Sequence, residues 1–197
     1  MTTFPSAAAG STEPSRTWVE SMGGPLIAVP VSALPQWHGC TQSGMVVGSG
    51  DVLDDYDRAC EVEGLAGVIA VGEEGAQGLV LADEPASSFY LPEHQAFVRW
   101  LGANSEADLV AAARAVLADS TTMWEECGIW ETDGPAVLMD SVTAGAELSV
   151  EYPNGGGMPE QAPVALPPGI WMVRAVHASP IEDTSVGVIQ LLPQPSS

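Results

Sequence analysis

Apolar and polar positions recur along this chain mostly at the spacing of β-strands, and only once at the spacing of a long helix. Thr17-Trp18-Val19-Glu20 reads as strand-like, is stopped by Gly23-Gly24-Pro25, and is followed by the extended apolar stretch Leu26–Val31. Ser32–Trp37 suits a short helical turn opened by Ser32. Strands are predicted over Ala66–Val71, Gly78–Ala82, Ser87–Leu91 and Phe97–Trp100, then near Met123–Thr132, Ala136–Asp140 and Glu147–Tyr152. Gly169–Ala178 and Thr184–Leu192 close the set. In the first of these, apolar residues fall on both sides of the alternation, which predicts a strand buried on both faces.

The helix is Ser105–Ala118. Ser105-Glu106-Ala107-Asp108 has the form of a capping box, and its acids lie where the helix dipole favours them. Leu109, Val110, Ala113, Val116 and Leu117 then fall on one face, which predicts packing on a sheet. Many strands and one strong helix, without a β-α-β rhythm, predict an α+β fold, predominantly antiparallel β sheet with that amphipathic helix packed on it. Residues 1–16 are rich in Ser, Thr, Ala, Gly and Pro and read as a disordered tail, leaving 17–193 as a single domain. Gly39–Gly50 and Pro153–Pro163 read as loops. The stretch from Asp51 to Cys60 fits either a helical turn or an acidic loop.

Charge changes the picture. The 197 residues include 26 acids, five arginines and no lysine, a net charge of −21. Residues 51–150 hold 20 of the acids against three arginines, a net −17. Such a chain has little with which to neutralise phosphates, so nucleic acid and anionic membrane are poor partners. A basic protein is a suitable one. Apolar residues at 46% argue for a folded chain despite the charge. The N-terminus lacks the charged and apolar regions of a signal peptide, and no apolar run is long enough to span a bilayer, so a cytoplasmic location is expected.

Candidate chemistry is thin. Cys40, Cys60 and Cys127 are scattered relative to His38, His94 and His177, and only His38-Gly39-Cys40 forms a close pair. No two cysteines have zinc-ligand spacing, and Asp54, Asp55 and Asp57 lack the spacing and glycine of a calcium loop. Gly155-Gly156-Gly157 has no strand–turn–helix context for a phosphate cradle. Neither metal nor cofactor is expected, and no catalytic residue is assigned. The acids are read first as solvated surface, and the tryptophans as core. A partner-binding surface would draw on Asp54, Asp55, Asp57, Asp83, Glu84, Glu125 and Glu126, with Trp130 as an aromatic anchor, because Trp124-Glu125-Glu126 and Trp130-Glu131 set aromatics beside carboxylates.

Several segments together resemble the bacterial Immunity protein 21 family. They begin with Trp18-Val19-Glu20, Gly23-Gly24-Pro25-Leu26 and Asp55-Tyr56-Asp57-Arg58-Ala59-Cys60. Asp83-Glu84-Pro85, Tyr90-Leu91-Pro92, Phe97-Val98-Arg99-Trp100 and Trp124-Glu125-Glu126-Cys127-Gly128 follow. The last are Leu166-Pro167-Pro168-Gly169, Val173-Arg174-Ala175 and Gln190-Leu191-Leu192-Pro193. The resemblance spans about residues 17–193. It implies a cytoplasmic antidote, not an enzyme, that binds and neutralises the cognate toxin of a polymorphic toxin system. The charge adds the expectation of a basic, nuclease-like toxin met by an acidic surface. Two other classes remain in view: a small carboxylate-dependent hydrolase and a non-catalytic scaffolding module.

Overall fold

A computed structural model describes residues 16–41 and 53–195. The expected tail thus lies outside the described residues except for Arg16, as does most of the expected Gly39–Gly50 loop. Ten strands form two five-stranded antiparallel sheets. One sheet contains β1 (Leu26–Pro30), β2 (Gly67–Val71), β3 (Ala76–Leu81), β7 (Ala136–Asp140) and β8 (Gln161–Val164), in the spatial order β2-β3-β1-β7-β8. The other contains β4 (Ser88–Leu91), β5 (Ala96–Gly102), β6 (Glu125–Thr132), β9 (Gly169–Ile181) and β10 (Thr184–Pro193), in the order β4-β5-β10-β9-β6. Helix α1 spans Asp55–Cys60 and α2 spans Glu106–Ala118. The expected α+β class is the observed one.

Strand alternation sorts the apolar side chains into layers. Between the sheets lie Leu26, Ala28, Leu79, Leu81 and Leu138 from one side, and Phe97, Trp130, Trp171, Val173, Ile189 and Leu191 from the other. The alternate residues Ile27, Val29 and Val80 face away, under the 3-10 turn Val31–Gln36 and α1. Val98, Val186 and Val188 face α2, whose Leu109, Val110, Ala112, Ala113 and Val116 are buried. Ser105 caps α2 by accepting from the Asp108 backbone N–H at 3.1 Å, but its hydroxyl donates to the Asp108 carboxylate, so the reciprocal bond of a full capping box is absent.

The first described residues are tied down. Trp18 packs on Phe89 and Trp100 with ring centroids 4.7 and 5.5 Å away, and its indole donates to Glu106, which also pairs with Arg16. Gly24 has no side chain because Tyr56 occupies the space: a Cβ there would fall 2.7 Å from the Tyr56 ring.

The strands depart from expectation in four places. Trp18-Val19 forms a single bridge, Val19 to Ser88, not a strand. Glu147–Tyr152 is not a strand either: Gly145–Glu147 is a 3-10 turn, and Leu148 alone is buried among exposed neighbours, so no face exists to pair. Within the expected Pro153–Pro163 loop lies the start of β8. It is an edge strand, where a proline without an N–H is tolerated. On β9, Trp171, Val173 and Ala175 are buried while their alternates are only half-covered, which corrects the expectation of burial on both faces.

Candidate partner-binding surface

The acids of α1 serve the helix first. The Asp54 carboxylate accepts from the Asp57 N–H at 2.8 Å and from the Thr41 N–H at 2.8 Å, while Asp57 accepts from the Asp54 N–H at 3.3 Å. This reciprocal cap explains why a six-residue helix forms here and settles the two readings of this stretch. Burial works to raise the Asp54 pKa, but these hydrogen bonds outweigh it and hold the value below that of an ordinary aspartate. Asp55 pairs with Arg58 and accepts from the His38 N–H at 2.6 Å. All three acids remain part-exposed.

A second group gathers where the central apolar layer ends. Arg99 is fully buried. Its guanidinium donates to the carbonyls of Ala82 and Glu84, one on either side of Asp83. The fork therefore holds a turn in which Asp83 adopts a left-handed φ of 66°, a conformation aspartate tolerates better than most residues. Burial pulls the Arg99 pKa down to about 10, opposed by Asp83 and Glu84, and the group stays protonated at neutral pH. Gly187 faces Arg99 on one side and His177 on the other across the ladder. A Cβ on Gly187 would lie 3.1 Å from the Arg99 Cβ and 3.3 Å from the His177 ring. His177 Nδ1 lies 3.5 Å from Asp83 Oδ2. Burial lowers the His177 pKa, with Asp83, Glu84 and Glu125 pulling the other way. Asp83 also lines a groove with Tyr56, Ala59 and Cys60 of α1, so this turn adjoins the first acidic group.

The third group lies on β6, an edge strand. Glu125 and Glu126 are exposed at its start, and Glu125 reaches back to the Leu65 N–H at 3.4 Å. Trp130 is a correction. It is fully buried between the sheets, with its indole donating to the Gln77 carbonyl at 3.0 Å, so it presents no surface to a partner. Its neighbours Ile129 and Glu131 point outward instead. Beyond Glu131, a cavity of about 360 Å³ is lined by Glu74, Glu131 and Asp133, of which the sequence pointed only to Glu131, as the neighbour of Trp130. All three are exposed.

The cations are committed internally. Arg16 pairs with Glu106, Arg58 with Asp55 and Arg114 with Glu93. Arg99 holds backbone carbonyls, and Arg174 lies 4.2 Å from the Trp124 ring centroid and donates to Gln190. Most carboxylates thus lack a basic neighbour among the described residues. The three cysteines are free thiols, and no group of three or more metal-ligating side chains converges among the described residues. No described helix is long and apolar enough to cross a membrane.

The arrangement defines an acidic, two-sheet α+β protein whose surface carboxylates are largely left to solvent or to a partner. Comparison with family models places it further. The model described as Immunity protein 21 matches residues 17–184, and the chain belongs to that family. Membership implies an immunity protein with a non-catalytic role and a cognate toxin as its partner. No match was found among curated proteins or among solved structures.

Proposed function

We propose that this chain is a cytoplasmic antidote that binds a basic, nuclease-like toxin and silences it by covering its working face, without chemistry of its own. The family match over residues 17–184 carries the reading. The net charge of −21 supports its electrostatic half, because a cleft built for phosphate also attracts fixed carboxylates. The surface draws on Asp54, Asp55, Asp57, Asp83, Glu84, Glu125 and Glu126. Of these, Asp83 lines the groove it shares with Tyr56, Ala59 and Cys60 of α1, the helix that Asp54, Asp55 and Asp57 open. Asp83, Glu84 and Glu125 all act electrostatically on His177. Trp130, being buried, is excluded.

Long-range attraction raises association toward about 10⁸–10⁹ M⁻¹s⁻¹ at low salt, against about 10⁵–10⁶ M⁻¹s⁻¹ without it. Speed suits an antidote, since every free toxin molecule acts until it is met. The test is to purify the protein encoded by the neighbouring gene, measure its inhibition by this chain, and follow association by stopped flow. Inhibition with an on-rate that falls steeply as salt rises is expected. A product left fully active refutes the antidote, and a salt-independent on-rate refutes the electrostatic part.

A further inference from the structure

The apolar anchor expected at Trp130 has a counterpart one residue away, on the opposite face of the same strand. In β6 the alternation turns Trp130 inward and Ile129 outward, where Ile129 is 49% exposed. Ile129 lies opposite Met172 of β9, and Met172 lies opposite Leu192 of β10. Ile170, paired with Glu131, is 37% exposed on the same face. Helix α2 packs on β5, β10 and β9, where Val176 and Ala178 join its apolar layer. Ile129, Ile170, Met172 and Leu192 belong to none of the apolar clusters of the interior. Part of the sheet's outer face is therefore left uncovered by the helix.

The margins of this strip are chemically distinct. At one end Arg174 is held flat, its guanidinium 4.2 Å from the Trp124 ring centroid and its Nε and Nη2 donating to Gln190 Oε1 at 3.0 and 2.6 Å. Tryptophan and arginine are the residue types that dominate binding hot spots, and both are already fixed here, so little ordering remains to oppose binding. Along β6, Glu126 and Glu131 bracket Ile129, and both are exposed. Arg174 lies opposite Glu126, so the acidic end of the strip is the one at Glu131, and it complements a segment with a lysine or arginine at that edge.

The geometry points to this outer face of β6 and β9 as the apolar anchor site for the cognate toxin. It takes a toxin segment whose aliphatic or aromatic side chains are flanked at the Glu131 edge by lysine or arginine. The inference rests on the antidote reading and adds the division of labour within it: acids set the rate of encounter, and the Ile129–Met172 strip sets the lifetime of the complex.

The experiment measures association and dissociation of the full chain with the protein encoded by the neighbouring gene. The double variant Ile129→Thr/Ile170→Thr keeps β-branched residues in both strands. It is expected to raise Kd at least tenfold through faster dissociation, with the on-rate within about twofold, as truncation at a central anchor does. Val150→Thr, at a residue 56% exposed outside the strip, is the control and leaves Kd unchanged. Methyl NMR of the wild-type chain provides a reading independent of any variant's folding: Ile129 and Ile170 signals shift on complex formation, while Ile27, buried on the other sheet, does not. Unchanged dissociation in the folded double variant, or unmoved Ile129 and Ile170 methyls in a formed complex, overturns the anchor while leaving the antidote intact. Failure of the wild-type chain to bind the neighbouring product overturns the antidote reading and the anchor with it.

Discussion

Replacing Arg99 with methionine tests whether a buried cation maintains the acidic turn. The methionine fills similar apolar space but leaves the carbonyls of Ala82 and Glu84 without their donor. Hydrogen bonds to charged groups contribute about 1.5–3 kcal/mol each, so two of them set a gross loss of about 3–6 kcal/mol. Removing the arginine also removes the cost of burying its charge, and apolar replacements of buried ionic groups recover about 1–4 kcal/mol. The net expectation is a destabilisation of about 2 kcal/mol, since Arg99 is fully buried but its carbonyl partners sit near solvent-facing Asp83 and Glu84. In a domain of this size that is a fall in Tm of about 4–8 °C. Arg99→Lys, which places a single ammonium where a fork spanned both carbonyls, should fall between wild type and Arg99→Met. Urea unfolding gives the stabilities, and amide exchange at residues 82–85 gives the local effect. The turn should lose protection beyond what global destabilisation explains. A variant as stable as wild type, with the turn equally protected, refutes the reading that Arg99 holds it.

Other substitutions probe the remaining groups. Trp130→Phe should cost stability yet leave toxin binding unchanged, and Trp130→Ala should cost about 3–5 kcal/mol by opening the central layer; a binding loss in the folded Phe variant would return Trp130 to the surface. Asp54→Ala should destabilise by about 0.5–2 kcal/mol, with fraying confined to α1 by amide exchange. Because the folded Asp54 pKa is depressed, its contribution is present above the unfolded carboxylate value of 3.8 and lost as pH falls through the folded value. His177 behaves as a base whose folded pKa is lowered. The folded state binds fewer protons than the unfolded one, so its contribution is present above 6.5 and lost as pH falls below that value. Stability of wild type measured between pH 7 and 5 should decline more steeply than that of His177→Gln; equal slopes would show that His177 carries no such linkage.

The legible features of this sequence were those set by local chemistry. Ser105 and the apolar face from Leu109 to Val116 identify α2 because capping and the 3.6-residue repeat act within one segment. The strand alternation likewise identifies most of β2–β7. What failed depends on distant partners. Leu148 and Val150 suggest a strand, yet the Leu148 carbonyl accepts from the Gln161 side chain of the edge strand β8 and no ladder forms. Gln161–Val164 hides behind Pro163, which an edge position permits. At the candidate surface, charge alone drew attention to Asp54, Asp83 and Glu125, but could not reveal that Asp54 caps a helix or that Arg99 grips the turn at Asp83. Trp130 and Ile129 were separable in principle. Trp130 shares its alternation with the buried Thr132, while Ile129 shares it with the exposed Glu131. Composition beside carboxylates outweighed parity, and parity was the better guide.

The strand order carries a consequence for timing. β1 pairs with β7 through Leu26 opposite Asp140, so the centre of one sheet closes only after more than half of the chain has emerged. Domains dominated by such distant pairings fold over about milliseconds to seconds, far more slowly than helical bundles. Until Asp140 has emerged, β1 has no β7 to pair with, so a growing chain carries that open strand edge through most of its synthesis.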